Sequence, residues 1–161
     1  RAGKIDFGFV RLPVDDRRVS TQPILSESFV VAMPSDHPLA SLERVRPHDL
    51  DDHPVYVLAR RFAPGFYDEV MRAFKQNGSV LQIARELGEF TTMGALISAG
   101  MGIGLVPRLA MAARHDNVVI RDLDFPTLQS RIGLAWSALD SALKRTFFEA
   151  ATRNAGTPSA N

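Results

Sequence analysis

Residues able to do chemistry gather at a few places along this 161-residue chain. His48, Asp49, Asp51, Asp52 and His53 crowd one turn and have the donor types of a metal site. No pair of them has the i, i+4 histidine spacing that sets two ligands on one helix face, so they read as a solvated loop. Gly100, Gly102 and Gly104 invite a nucleotide-binding reading. A dinucleotide fingerprint, however, needs a strand first and a helix after it, so that helix N-terminal amides meet the pyrophosphate; here the glycines follow a helix C-terminus, where the dipole is negative. They read instead as a tight connection with close packing. Nucleophilic catalysis has no footing: the chain has no cysteine, no serine sits in a Gly-x-Ser-x-Gly elbow, and the four histidines lie in polar or turn surroundings.

The elements that must position any site follow from periodicity. Thr91 or Thr92 caps a helix whose apolar face is Met93, Leu96, Ile97 and Met101; Gly100 ends it, Ile103 to Val106 form a buried strand, and Pro107 suits the start of a helix over 108–114. Earlier, Ile5, Phe7 and Phe9 alternate in a strand ending at Arg11, after a Gly3 that looks like the end of a preceding helix. Phe29 to Met33 form a second strand, and Val55 to Leu58 a third. From Pro64 the spacing of Phe66, Val70, Ala73 and Phe74 predicts a helix with Asp68 and Glu69 in its first turn, ended by Asn77-Gly78. Leu81 to Ala84 read as a strand, with 85–90 leading into the next helix. Val118 to Ile120 and Ile132 to Trp136 close the strands, and Leu143, Phe147, Ala150 and Ala151 stripe a last helix capped by Ser141. Strand and helix alternate from Val55 to Ile120, the pattern of an α/β lobe with parallel strands.

Composition bounds the class. A net charge of +1 and ordinary apolar and charged fractions of 45% and 23% describe a globular chain without a basic stripe for nucleic acid. No apolar run is long enough to cross a membrane, and the start has no signal-peptide core. There is no initiator methionine, and the chain opens as though cut from something longer.

In this order the chain resembles the effector-binding domain of LysR-type transcriptional regulators. The resemblance is carried by Gly3-x-x-Asp6-x-Gly8, by Phe29-Val30-Val31-Ala32-x-Pro34-x-x-His37-Pro38-Leu39, by Asp49-Leu50 and by Ala99 to Pro107, together covering residues 3 to 153. It implies an α/β, two-lobed periplasmic-binding-protein-like (type II) fold. Residues 27–130 would be a complete second lobe, and residues 1–26 and 131–155 a first lobe truncated at its N-terminal part; 156–161 would be a flexible tail. It also implies an effector in the inter-lobe cleft, a homodimer or homotetramer, DNA contact only through a winged helix-turn-helix outside this chain, a cytoplasmic location, and no cofactor, metal or membrane.

Within that family, Ala63-Pro64-Gly65-Phe66 resembles the Pro-x-Phe turn of regulators of aromatic-compound catabolism, where helix-start amides beside a phenyl ring seat a carboxylate on an apolar body. The alternative is that Pro64 merely starts a helix and Phe66 packs in the core. Arg11 matches an arginine lining the effector site in that branch, or is a surface arginine beside Asp15 or Asp16. Glu89 and Phe90 match positions that approach the effector, or are a first-turn acid and a core ring. Leu25 stands where that branch has a basic residue for a secondary site. The function implied is ligand sensing: a small organic acid, aromatic or dicarboxylic, alters oligomer geometry to control transcription. An extracytoplasmic solute-binding protein of the same shape is the alternative, and an enzyme is disfavoured by the missing acid–base constellation.

Overall fold

A computed structural model describes residues 5–111 and 116–153. The chain divides into two compact units, residues 1–26 with 130–161 and residues 27–129. The first unit holds β1 (Phe7–Arg11), the start of β2 (Ser20–Pro34), most of β8 (Gln129–Trp136) and the helix α3 (Ala142–Thr152). β1 pairs antiparallel with β8, setting Phe7 opposite Trp136 and Arg11 opposite Ile132. Ser141 caps α3 as expected, accepting from the Lys144 N–H at 3.3 Å, and Lys144 bridges Asp6 and Asp140 at 2.8 Å each. Two aromatic pairs join α3 to this sheet, Phe147 lying 4.7 Å from Phe7 and Phe148 4.7 Å from Trp136, ring centre to ring centre, while Leu143 of the expected stripe stays 80% exposed.

The second unit is a mixed sheet. β4 (Val55–Leu58) runs parallel to β5 (Ile83–Leu87) on one side and to β6 (Ile103–Pro107) on the other. β6 pairs antiparallel with β2, which pairs antiparallel with β7 (Val118–Leu123), and the two-residue β3 (Arg44–Val45) runs parallel to β7. Two helices fill the crossovers, α1 (Pro64–Gln76) after β4 and α2 (Phe90–Ser98) after β5. Successive side chains on a strand point to opposite faces, and the core follows that rule. Val31, Val57 and Leu105 join Phe66, Val70 and Phe74 of α1, whereas Val30, Tyr56 and Val106 join Met93 and Ile97 of α2. Two helices therefore bury the strands from both sides, and β4 and β6 read as continuous apolar runs for that reason.

Several boundaries differ from those the pattern predicts. β2 extends back to Ser20, because its first half, with polar and exposed residues among 20–28, lacks the apolar run that marks 29–33. β5 starts at Ile83 and runs to Leu87, past the expected end at Ala84. As a strand flanking β4 it leaves Ala84, Arg85 and Glu86 exposed, so no apolar alternation announces it. α2 begins at Phe90 with Glu89 at the N-cap, so Thr91 and Thr92 lie inside the helix, and Thr92 Oγ1 donates to Glu89 Oε1 at 2.9 Å. α1 begins four residues before Asp68, which places no acid in its first turn. The expected helix over 108–114 is a short 3-10 turn at Arg108–Met111. The rest of it, Gly3 and the tail 156–161 lie outside the described residues.

Of the glycines that suggested a phosphate loop, Gly100 has a conformational role and Gly102 and Gly104 have packing roles. Gly100 ends α2 with φ +74, and Gly102, at φ +151, lies under Tyr56, whose ring carbon a Cβ there would meet at 2.9 Å. A Cβ on Gly104 would stand 2.8 Å from Met93 Sδ and 3.0 Å from Ile97 Cδ1. Gly104→Ala is expected to cost about 1–3 kcal/mol through overpacking of α2 on β6, read as a lowered urea midpoint with an unchanged slope.

His37 caps the 3-10 turn Pro38–Ser41, its Nδ1 accepting from the Leu39 N–H at 3.2 Å. Burial, then the neighbouring His53, hold its pKa below the usual 6.5, against the opposing pull of Asp36. The folded state thus binds fewer protons at His37 than the unfolded state does. This contribution is complete above the unfolded value and is lost as pH falls from there towards the depressed folded value. Stability measured by denaturation across that interval should fall with pH in the native chain and fall less in His37→Asn, which keeps a capping acceptor without titrating.

Candidate functional site

β4 and β5 lie side by side and parallel, with Leu58 opposite Leu87, so their carboxyl ends form one edge. In open α/β sheets that edge is where ligands bind, because the helices that follow start there with their amide ends towards it. Here it carries the start of α1, reached through 59–63, and the start of α2, reached through Gly88 and Glu89. Four of the expected site residues or their backbones meet this description: Pro64 and Gly65 open α1, Glu89 is the N-cap of α2 and Phe90 its first residue.

α1 has no side-chain cap, since Ala63 is its N-cap, and no acid in its first turn. The positive end of its dipole is therefore not offset within the helix itself. α2 differs, because the Glu89 carboxylate stands at its start. Of the two starts, α1 is the one that favours an anion. Phe66 is only 6% exposed and stacks on Phe29, ring centres 5.7 Å apart. The crevice beside it, between Phe29 and Leu105, has about 10 Å³, at most a water's worth. The Phe66 ring is thus core, and the exposed part of the turn is Pro64. Phe90 is half-buried and packs against the cluster under α2.

A network that no sequence pattern announced fastens this edge. The Ala59 N–H donates to the Leu87 carbonyl at 2.8 Å, and the Arg60 N–H to Glu86 Oε2 at 3.1 Å. The Arg60 guanidinium grips Asp68 of α1 through both oxygens at 2.8 Å. That grip holds the Asp68 carboxyl below its usual range and the Arg60 guanidinium above its own. Burial, then a hydrogen bond with Glu86, push the Tyr67 hydroxyl up. The next two residues stand outside that network: Arg61 lies over the Phe62 ring, 4.6 Å to its centre, and Phe62 is 58% exposed. The signal that could have found them is an Arg-Arg-Phe run placed between a buried strand and a Pro-started helix.

Arg11 is in the first unit, on β1, where its Nη1 donates to Ser130 Oγ at 2.5 Å. Ser130 is fully buried. The crowded acids and histidines resolve into local bonds: Asp49 pairs with Arg46 at 2.9 Å, and Asp51 meets His48 Nδ1 at 3.2 Å while accepting from the Val80 N–H at 2.9 Å. Among the described residues no group of three or more His, Asp or Glu could hold a metal ion, and no helix is long and apolar enough to cross a membrane.

Residues 1–156 match the family described as the LysR substrate binding domain, and the chain belongs to that family. It is 37% identical over 109 residues to the HTH-type transcriptional regulator TtuA of Agrobacterium vitis, a match spanning 66% of this chain and 36% of that protein. It superposes on the crystal structure of CbnR, a LysR family transcriptional regulator, with a TM-score of 0.85 at 24% identity, over 97% of this chain and 54% of that one. Against the effector binding domain of a BenM variant the TM-score is 0.81 at 26% identity, over 94% of this chain and 71% of that one. The fold is the mixed α/β, type II periplasmic-binding-protein-like fold of these domains, and the matches to the curated regulators span between about a third and a half of their length.

Truncating the core ring of the turn should cost stability whatever its role in binding. Phe66→Ala is expected to lose about 3–5 kcal/mol, whereas Glu89→Gln, which removes the carboxylate at the start of α2, is expected to cost about 0.3–1 kcal/mol, both read by urea denaturation.

Proposed function

We propose that this chain is the ligand-sensing part of a LysR-type transcriptional regulator and that it binds a small organic acid, aromatic or dicarboxylic. The observation that carries the reading is the start of α1, uncapped by any side chain, at the shared carboxyl edge of β4 and β5. A carboxylate there meets the positive end of a helix dipole, and the resemblance of 63–66 to the turn of aromatic-catabolism regulators argues for an apolar body behind it. Pro64, Gly65, Phe66, Glu89 and Phe90 are the residues proposed around it in the second unit. The domain binds without catalysing, and in the whole regulator the bound acid shifts an oligomer between two arrangements by binding one of them better. DNA contact and a cytoplasmic location belong to that whole regulator.

A thermal-shift panel tests the reading on this chain and on its full-length parent. Benzoate, salicylate, succinate and fumarate are set against benzylamine, glucose and glycerol. At least one acid is expected to raise Tm in a concentration-dependent manner, since a ligand at a hundred times its Kd adds about 2.7 kcal/mol. A flat response to every acid, with stabilisation by the amine or a sugar, would overturn it. The Arg11–Ser130 pair in the first unit is tested by Arg11→Ala, where unchanged acid affinity removes Arg11 from the ligand contacts.

A further inference from the structure

Arg60 and Arg61 are neighbours that the structure uses in opposite ways. Arg60 is consumed by Asp68 and Glu86. Arg61 is exposed and, among the described residues, makes no hydrogen bond or ion pair; its one partner is the ring of Phe62, 4.6 Å beneath the guanidinium carbon. Phe62 in turn lies across Gly88, where a Cβ would come within 3.3 Å of the ring. The stack therefore spans the loop that ends β4 and the turn that ends β5, at the edge described above.

Three features make this a recognition device rather than a stray surface arginine. A guanidinium over an aromatic face is drawn to it by the ring's negative face, and its N–H groups remain available for a bidentate carboxylate. The loop beneath is held by the Arg60 network, so less side-chain freedom is lost on binding. The nearby carboxylates are engaged elsewhere: Asp68 with Arg60, Glu86 with the Arg60 N–H and the Tyr67 hydroxyl, and Glu89 with Thr92. A ring that is 58% exposed on such a loop also offers a flat apolar surface to a planar ligand.

We propose that Arg61, held by Phe62, is the specificity-determining residue of this domain, its guanidinium taking the carboxylate of the organic acid. The proposal rests on reading the β4–β5 edge as the ligand site. Phe62 acts as the positioning residue.

The test is calorimetric titration of the full chain with benzoate and succinate, alongside their uncharged counterparts benzamide and succinamide. Arg61→Gln is expected to weaken binding of the acid about 10-fold to 100-fold, the scale of a lost charged hydrogen bond, with Tm unchanged and amide binding unaffected. Arg61→Lys should recover part of the loss, and Phe62→Leu should weaken the acid several-fold while Phe62→Tyr does not. Equal acid affinity in Arg61→Gln and the native chain overturns this inference and leaves the site standing. Failure of the native chain to bind either acid overturns both.

Discussion

The parallel pairing of β4 with β5 is the constraint on which the rest depends. Leu58 and Leu87 are register partners, and the hydrogen bond from the Ala59 N–H to the Leu87 carbonyl extends the ladder one step past them. Because the two strands end level with each other, the helices that follow both begin at one edge. Parallel strands need crossover connections, and those connections put helices on the faces of the sheet. The site is therefore a consequence of topology before it is one of residue type. Arg60 then adds a side-chain lock, its backbone tied to β5 through Glu86 and its guanidinium to α1 through Asp68. Both ends of that lock are exposed, so its worth in stability is small. Its effect is on the geometry of the loop.

Burial supplies the energy and the side-chain chemistry supplies the selectivity, and Phe66 shows the division. Its ring is buried on Phe29, where it helps hold α1 against β2, β4 and β6. What that packing leaves at the surface is the beginning of the helix, with an uncapped dipole and an exposed Pro64. Four residues before Phe66, Phe62 does the reverse, with most of its ring in water and an arginine on its face. Two phenylalanines four positions apart thus serve the same edge from opposite sides of the boundary between core and solvent. Open grooves of about 390 and 570 Å³ exist elsewhere in the second unit. The larger includes Arg121, whose guanidinium donates to the carbonyls of Ala40, Leu42 and Ile120.

How much was legible in the sequence depended on whether the signal was local. Met93 to Pro107 could be read as helix, turn and strand because periodicity, a left-handed glycine and a proline follow one another there. The first half of β2 and the second half of β5 could not, since a strand stabilised by its neighbours need not carry an apolar alternation of its own. Thr91 and Thr92 looked like caps because they have the right hydroxyls, but the chain turns two residues before Thr91, at Glu89. The helix starts that make up the candidate site came through resemblance to a family, and residue types alone left Pro64, Phe66, Glu89 and Phe90 open between binding and packing. The Arg61–Phe62–Gly88 arrangement was beyond reach, because nothing in a sequence states that a ring at 62 will lie over a glycine at 88. That proximity exists only once β4 and β5 have paired.

The most direct test of the account is to watch backbone amides while an acid binds. In a two-dimensional nitrogen–proton NMR titration with benzoate, the account predicts shifts concentrated in 59–66 and 87–93, with saturation at one affinity for both segments. Shifts confined to the groove of Ser41, Leu42 and Arg121, with 59–66 and 87–93 unmoved, would contradict it.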